Sequence, residues 1–360
     1  MEEHLRANVA ATIAAIAPLD ETVMAAARAR QAQLTKPAGS LGRLEALAIQ
    51  IAGITRHEQP SLAHKAIVVM AGDHGVTDEG VSAYPAEVTP QMVFNFLRGG
   101  AAINALAGVV GARVIVVDIG VASSLEHPGL LARKVAHGTA NMAQGPAMTR
   151  EQALDAIETG IVVVESLASD GVQMVATGEM GIGNTTAASA ITAVLTGANP
   201  ADVTGRGTGI DDAQLARKIA VIERALAVNT PNRDDALDVL SKVGGFEIAG
   251  LVGVILGGAA RRMPVVLDGF IAGSAALVAE KLSPLVRDYL IAGHISVERG
   301  HRVLLDKLGL TPLLDLDLRL GEGTGAALAM GVIEGALAAH RQMATFAEAG
   351  VSEKDESDRT

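Results

Sequence analysis

A chain of 360 residues is longer than most single domains, and 49% hydrophobic residues are enough to form a large core. The net charge of −11 argues against a nucleic-acid partner, because binding to phosphate backbones depends on Lys and Arg. The lack of cysteine excludes disulfides, a thiolate nucleophile and cysteine-bound zinc.

Neither the N-terminus nor any apolar stretch predicts a membrane partner. Residues 1–4 are acidic and lack the basic start and apolar run of a signal peptide. The longest apolar and glycine-rich stretch, residues 248–260, is too short to cross a bilayer. We therefore expect a cytoplasmic protein.

The first 60 residues have a helical pattern. Asp20 is placed to cap a helix over residues 21–34, which are rich in alanine. The sequence KPAG at residues 36–39 breaks this helix, and Ser40 is placed to cap the next one, over residues 43–54.

Six short runs rich in apolar and β-branched residues alternate with longer helical stretches from residue 65 onward. Because most of these runs lack polar alternation, they are typical of strands buried on both faces, and helical crossovers between them imply parallel pairing. We predict an α/β fold with a doubly wound, Rossmann-like, mainly parallel six-stranded sheet. The predicted strands are residues 66–71, 112–118, 172–177, 264–268, 288–293 and 313–317.

A small helical domain is expected beside the sheet. A last helix over residues 324–346 follows the final strand, and its C-terminal half could pack against the N-terminal helices. We assign residues 1–60 plus 330–360 to the small domain and residues 61–329 to the large α/β catalytic domain. The polar end of the chain, from Ser352, is expected to be frayed.

Each predicted strand is followed at once by Gly, Asp, Glu or His. Ligands of open α/β sheets bind in the crevice at the carboxyl ends of the strands, so these loops are expected to converge on one cleft. For any single loop the alternative is an ordinary turn, since Gly and Asp are common turn residues. The loops are residues 72–75, 118–120, 178–186, 268–269, 294–296 and 321–325.

The loop GIGNTT at residues 181–186 is typical of a phosphate-binding site. It lies between a predicted strand and an alanine-rich helix over residues 187–195, so its backbone N–H groups and the helix N-terminus could face an anion. No Lys precedes the two threonines, and the dinucleotide fingerprint is absent, which favours a monophosphate. A tight turn with an N-cap is the alternative.

A second glycine-rich loop, GRGTGID at residues 205–211, precedes a helix that includes Lys218. Arg206 or Lys218 could reach a phosphate or carboxylate, although most helical lysines are simply solvated. Asp73-His74 suggests a metal or acid–base site, but the nine histidines show no ligand spacing, so we expect a loop His held by local hydrogen bonds and no metal.

Glu322 lies between two glycines, where the last predicted strand ends and a helix begins. Small neighbours would leave its carboxylate uncrowded and allow a flat ligand to approach. The alternative is a carboxylate that complements the helix dipole, and the spacing does not choose between them.

With these motifs assembled, the chain closely resembles the nicotinate-nucleotide–dimethylbenzimidazole phosphoribosyltransferases of cobalamin biosynthesis. The resemblance is colinear from Lys36 to about Gly331, over three quarters of the chain. The motifs are KPAGSLGRLE at 36–45, AGDHGV at 71–76, EMGIGNTT at 179–186, GRGTGID at 205–211 and LRLGEGTGA at 318–326.

The resemblance implies specific roles for residues of these motifs. It implies that Glu322 is the general base, and that nicotinate mononucleotide and a benzimidazole-type base are the ligands of a homodimeric enzyme without a cofactor. Ser82, Tyr84 and Gln91 look like walls of the base pocket. The residues expected at the nucleotide and its phosphate are Glu179, Gly181, Ile182, Gly183, Asn184, Thr185, Arg206 and Lys218.

Three other functions are considered. The same motifs would suit an enzyme with another acceptor, such as adenine, a different benzimidazole or a phenol. A non-catalytic nucleotide-binding module is a further alternative, although Glu322 is present and the glycine loops contain no bulky side chains. An NAD-dependent oxidoreductase is disfavoured because the dinucleotide fingerprint is missing.

Overall fold

The computed structural model describes residues 5–207 and 209–352. Its strands are β1 Lys65–Gly72, β2 Ala112–Gly120, β3 Leu130–Ala132, β4 Met174–Met180, β5 Val265–Leu267, β6 Leu290–Ala292, β7 His294–Ile295 and β8 Leu314–Asp315. β1 to β6 form one sheet in the order β3-β2-β1-β4-β5-β6, with every pair parallel. This arrangement confirms the predicted α/β fold. Its strand order reverses between β1 and β4, and that switch point is where such sheets bind ligands.

In the main sheet, one predicted strand is wrong and one strand, β3, was missed. Residues 313–317 do not join the sheet, because only two of them are strand and they pair with β7 as a separate parallel ribbon. The Asp residues that alternate with Leu there would be costly to bury on both faces. The missed strand, β3, has three residues on the sheet edge, where Leu131 is exposed and no long apolar run is needed.

The helices fill both faces of the sheet. Alternate residues of β1 point into two separate cores, Ile67 and Val69 into one and Val68 and Met70 into the other. The helices are α1 Ala7–Ala15, α2 Glu21–Gln33, α3 Arg43–Thr55, α4 Val88–Leu97, α5 Ala102–Val109, α6 Arg150–Ser169, α7 Asn184–Thr196, α8 Pro200–Val203, α9 Asp212–Asn229, α10 Ala236–Val243, α11 Phe246–Ala260, α12 Phe270–Leu282, α13 Arg299–Leu308, α14 Thr324–Gln342 and α15 Phe346–Ala349.

The N-terminal helices begin almost where the sequence predicts. The Asp20 side chain accepts a hydrogen bond from the Val23 N–H and caps α2, as expected. The predicted Ser40 cap is wrong, because the N-cap of α3 is Gly42, whose backbone a residue with a Cβ would rarely adopt (φ +55°).

The two ends of the chain are in contact, as the predicted small domain requires. Arg30 of α2 donates hydrogen bonds to the carbonyls of His340 and Arg341 at the end of α14. In contrast, α1 packs against α6 and α11 of the large α/β unit. The division into two domains stays a prediction, and the predicted frayed end lies, after Ser352, outside the described residues.

One stretch, Val88–Val109, reaches the length and mean hydropathy (1.2) of a candidate membrane span. The structure divides it into α4 and α5, of ten and eight residues, which are separated at Gly99 and Gly100. Each helix is shorter than the roughly 20 residues needed to cross a bilayer.

Candidate active site

The loops that follow the central strands lie against one another. The Asp73 N–H, after β1, donates to the Gly120 carbonyl at the end of β2. After β4, the Gly181 backbone lies so close to the Gly72 carbonyl that a Cβ at residue 181 would clash with it. Three of the predicted loops therefore meet at the switch point.

The loop after β4 presents free backbone donors at the start of α7. Gly183 is the N-cap of this helix, with φ +91° and no side-chain cap. The Ile182 N–H is already bonded to Thr89 Oγ1 at 3.1 Å, whereas the amides of Gly183 and Thr185 have no acceptor among the described residues. Two free amides at a helix N-terminus are suited to binding an anion.

Lys218 of α9 reaches this loop from the other side. Its side chain is 1% exposed, so the alternative of a solvated lysine does not apply, and its Nζ donates to Thr185 Oγ1 at 2.6 Å. Burial lowers the pKa of Lys218 to about 8, while the charge of Glu298 acts in the opposite direction. A cation therefore stands beside the free amides through neutral pH.

Glu179, near the end of β4, joins residues 181–186, called the phosphate loop after the function predicted for them, to the region of Glu322. Its carboxylate accepts hydrogen bonds from Asn184 Nδ2 and from the Glu322 backbone N–H. Burial raises the pKa of Glu179 to about 8, and the nearby charges of Asp268 and Glu247 act in the same direction. This side chain is mostly neutral near pH 7.

Glu322 is held in a strained turn. Residues 321–323 all have positive φ, and Glu322 itself has φ +64°. Its carbonyl lies so close to Gly178 of β4 that a Cβ there would clash, which ties this turn to the central sheet. The flanking glycines thus serve the backbone conformation and a close approach to β4, a reason that the sequence did not reveal.

The Glu322 carboxylate is buried at the N-terminus of α5. Its Oε2 accepts a hydrogen bond from the Ile103 N–H at 3.3 Å. The carboxylate thus complements a helix dipole, as in the alternative considered from the sequence, but the helix is α5 instead of α14. Burial raises the pKa of Glu322, with the Ile103 hydrogen bond opposing the shift and Asp268 adding to it. Nothing in the sequence around Ile103 marks it as part of the site.

Asp268, after β5, positions the start of α14 and was missed as a site residue. Its two carboxylate oxygens accept hydrogen bonds from the N–H groups of Gly323, Gly325 and Ala326 at 2.8–3.1 Å. His294 Nε2 lies 3.5 Å from the same carboxylate. The only sequence cue was its place directly after a strand.

Comparison with known proteins identifies the family. The family model described as "Phosphoribosyltransferase" matches residues 16–351. Relatives named nicotinate-nucleotide–dimethylbenzimidazole phosphoribosyltransferase include one from Chloroflexus aggregans, 65% identical over 96% of this chain and 98% of the relative, and one from Geobacter metallireducens, 59% identical over 94% and 97%. The crystal structure of CobT from Thermus thermophilus superposes with a TM-score of 0.90 at 51% identity and covers 92% of this chain and 100% of that one.

The chain belongs to the nicotinate-nucleotide–dimethylbenzimidazole phosphoribosyltransferase family. The family predicted from the sequence motifs is thus confirmed. The roles of individual residues in this family member stay predictions.

The residues predicted to line the base pocket precede or begin α4. Ser82 is partly buried and its Oγ accepts a hydrogen bond from the Tyr84 N–H, while Tyr84 is 54% exposed and Gln91 is exposed. The segment is joined to the phosphate loop by the hydrogen bond between Thr89 and Ile182.

Arg206 is not directed at the phosphate loop. Its guanidinium donates to the Ile210 carbonyl and pairs with Asp212, with half of the side chain exposed. Its neighbour Gly207 does approach the site, since a Cβ there would lie 2.9 Å from Thr185 Oγ1 and 3.3 Å from Lys218 Nζ. Thr208 of the same loop lies outside the described residues.

The expectation of local hydrogen bonds for His74 is wrong. Its Nε2 lies 2.6 Å from Glu247 Oε1 on α11, which is distant in the sequence, and both side chains are buried. Among residues 5–207 and 209–352, no group of three or more His, Asp or Glu side chains is arranged to hold a metal ion.

Proposed function

We propose that this protein transfers the phosphoribosyl group of nicotinate mononucleotide to 5,6-dimethylbenzimidazole, which gives α-ribazole 5′-phosphate and nicotinate for the nucleotide loop of cobalamin. The observation that supports this most directly is Glu179, which bonds both to Asn184 of the phosphate loop and to the backbone of Glu322. Glu179 would thus link the proposed phosphate site to the proposed base, as a reaction between their two ligands requires.

The phosphate loop supplies binding and positioning. The free amides of Gly183 and Thr185, with Lys218 beside them, suit the 5′-phosphate of the donor. Holding the ribose in this way converts a reaction between two molecules into one between neighbours, which accounts for a large part of the rate in enzymes of this kind.

The chemistry needs a base and no metal. The bond between the anomeric carbon and the pyridinium nitrogen breaks, and its electron pair stays with nicotinate. A ring nitrogen of the benzimidazole attacks the same carbon from the opposite face, which inverts β to α. The N–H proton of the benzimidazole then goes to a carboxylate, for which we propose Glu322, and such base catalysis contributes roughly 10²–10⁴-fold.

Glu322 must be ionised to accept this proton. Because burial raises its pKa, the rate should fall on the acid side of neutrality at a higher pH than an exposed Glu would give. The N–H of the bound benzimidazole would donate to the ionised carboxylate and oppose that rise, so the pKa on the acid side should be lower in the pH profile of kcat than in that of kcat/KM.

Replacement of Glu322 tests the base assignment. In Glu322→Gln we expect kcat for α-ribazole phosphate formation to fall by about 10²–10⁴-fold, while nicotinate mononucleotide still binds, because the amide keeps the shape and loses the basic oxygen. Glu165→Gln, a substitution on α6 in a pair with Arg261, is the matched control. Near-normal turnover of Glu322→Gln would remove the base role.

The acceptor can be tested separately. Equal concentrations of 5,6-dimethylbenzimidazole, adenine and a phenol should compete for the enzyme, and mass spectrometry of the nucleotide products gives the relative kcat/KM. We expect dimethylbenzimidazole to dominate. If the adenine or phenol product dominates, the proposed type of reaction still holds, but the proposed acceptor is wrong.

We also propose a homodimer in the cytoplasm, with the small helical domain formed by both ends of the chain. The relatives' names concern the reaction and support none of these three points. The hydrogen bonds from Arg30 to the end of α14 favour the proposed domain.

A further inference from the structure

A buried ion pair lies behind the phosphate loop and has no part in the chemistry above. His74 Nε2 is 2.6 Å from Glu247 Oε1, and the two side chains are 1% and 0% exposed. Placing charge so deep costs desolvation energy, and a buried ion pair often contributes little net stability. Stability alone is therefore a poor explanation for this pair.

The imidazole lies between Glu247 and the phosphate loop. A Cβ at Gly181 would be 3.5 Å from His74 Cδ2, and one at Gly183 would be 3.6 Å from His74 Cβ. Glu247 lies on the other side, with its Oε2 3.2 Å from the Cβ position of Gly72 and 2.6 Å from that of Gly245. The Cβ–Cδ2 edge of the imidazole therefore faces the loop, while its Nε2 points to Glu247, so the protonated ring would lie between the two.

The charges around His74 favour its protonated form. Burial by itself lowers the pKa of His74, but the charge and hydrogen bond of Glu247, with the charge of Asp73, raise it above the ordinary value. Glu179 on β4 also interacts with Glu247, and its pKa of about 8 keeps it mostly neutral at pH 7. Phosphate at the loop would add a further negative charge on the side that Glu247 does not occupy.

We propose that His74 is a positioning residue for the donor phosphate: its imidazolium, held by Glu247, supports the backbone of Gly181 and Gly183 and strengthens phosphate binding when protonated. This rests on the proposed function only in placing a phosphate at this loop. The coupling is reciprocal, so bound phosphate must favour protonation of His74 by the same factor.

Histidine NMR tests this coupling directly. The full chain, labelled with ¹⁵N in the histidine rings, is titrated from pH 5.5 to 9.5 with and without saturating nicotinate mononucleotide, and His74 is assigned by the signal lost in His74→Gln. We expect the ligand to raise the pKa of His74 by about 0.5–1 unit, which equals about 3–10-fold tighter binding to the protonated form. His340, which is bonded to Gln31, is the internal control. An unmoved His74 under saturation overturns the proposal.

Glu247→Gln separates charge from shape, because the amide keeps a hydrogen-bonding group and loses the charge. In this variant we expect a lower pKa of His74 and weaker nicotinate mononucleotide binding by calorimetry. The deficit at each pH should follow the deprotonated fraction of His74 in the same spectra. A deficit unrelated to that fraction indicates a structural role only and contradicts the proposal.

These measurements use no acceptor, so they fail independently of the proposed reaction. A chain that shows coupled binding but forms no α-ribazole phosphate refutes the proposed function alone. A chain that forms product while His74 and the donor are uncoupled refutes only the role of His74. If Glu247→Gln does not fold, the titration of the unaltered chain still decides.

Discussion

At the residue scale, carboxylates of the crevice differ because their surroundings differ. Glu179 accepts two hydrogen bonds yet has a pKa of about 8, since it is buried near other acidic groups. Glu322 accepts one hydrogen bond, from a helix N-terminus, and its pKa is raised above that of an ordinary Glu. Asp268 accepts three N–H groups and serves to hold α14. The burial of each carboxylate and its hydrogen-bond partners, more than its residue type, determine which of these roles it has.

The raised pKa of Glu179 predicts a pH effect on stability. The folded state favours the neutral acid, so this stabilisation is present below the unfolded pKa of about 4.3 and is lost as pH rises towards 8. Between pH 5 and pH 9 we expect Glu179→Gln to gain stability relative to the unaltered chain, by on the order of a few kcal/mol in urea unfolding.

The comparison must be made against a carboxylate without such burial. Glu165→Gln on α6 should keep a constant difference from the unaltered chain over the same range. If the stability difference between Glu179→Gln and the unaltered chain is also constant over this pH range, Glu179 is not a neutral buried acid.

At the scale of elements, the two helices that begin at the site have the same type of N-terminus. α7 and α14 both start from a glycine with positive φ, Gly183 and Gly323, and neither has a side-chain cap. A capping side chain would occupy one of the first amides of the helix, whereas a glycine leaves these amides free for other partners. At α14 those partners are the oxygens of Asp268, and at α7 we propose the donor phosphate.

Valine substitutions at the two ends of α7 separate strain from function. Gly183→Val and Gly197→Val both force a β-branched residue into positive φ, +91° and +80°, and each should cost about 1–3 kcal/mol of stability. Only Gly183→Val should also raise the KM for nicotinate mononucleotide, by about tenfold or more, because only Gly183 lies in the phosphate loop.

Steady-state kinetics give the KM of each variant for nicotinate mononucleotide, and thermal unfolding gives the stability of each variant. Equal KM values in Gly183→Val and Gly197→Val would argue that the phosphate binds elsewhere.

At the scale of the whole molecule, an apolar surface lies next to the turn that contains Glu322. Val297, Leu316 and Leu320 are 49–57% exposed, and a hydrogen bond from the Val297 N–H to the Leu318 carbonyl extends the pairing of β7 with β8 through this region. Exposed apolar residues grouped in this way are typical of interfaces, which agrees with the proposed homodimer.

Sedimentation tests this assembly. We expect a mass twice the 36.7 kDa of the chain, and Leu320→Glu should shift the equilibrium towards the monomer because it would bury a charge in the interface. Val228→Glu on α9, at 52% exposure, is the matched control and should leave the mass unchanged. A monomeric unaltered chain would contradict the homodimer.

Local patterns were sufficient for much of the fold. The apolar runs of β1, β2 and β4 predicted buried parallel strands, and Asp20 predicted the start of α2, because burial on both faces and a free helix N-terminus each require particular residues at one place in the chain. Short edge elements such as β3 have no such requirement and were missed.

The site was predicted only as far as its motifs extend. The two glycine-rich motifs and the family were recognised from the sequence by itself, whereas only the structure gave the reason for these glycines, which is backbone conformation and close approach. The tertiary structure alone decided that Glu247 holds His74, that the Ile103 N–H meets Glu322 and that Asp268 holds α14. Each of these contacts joins residues more than fifty positions apart, and such pairings depend on how strands and helices pack, which a local pattern does not record.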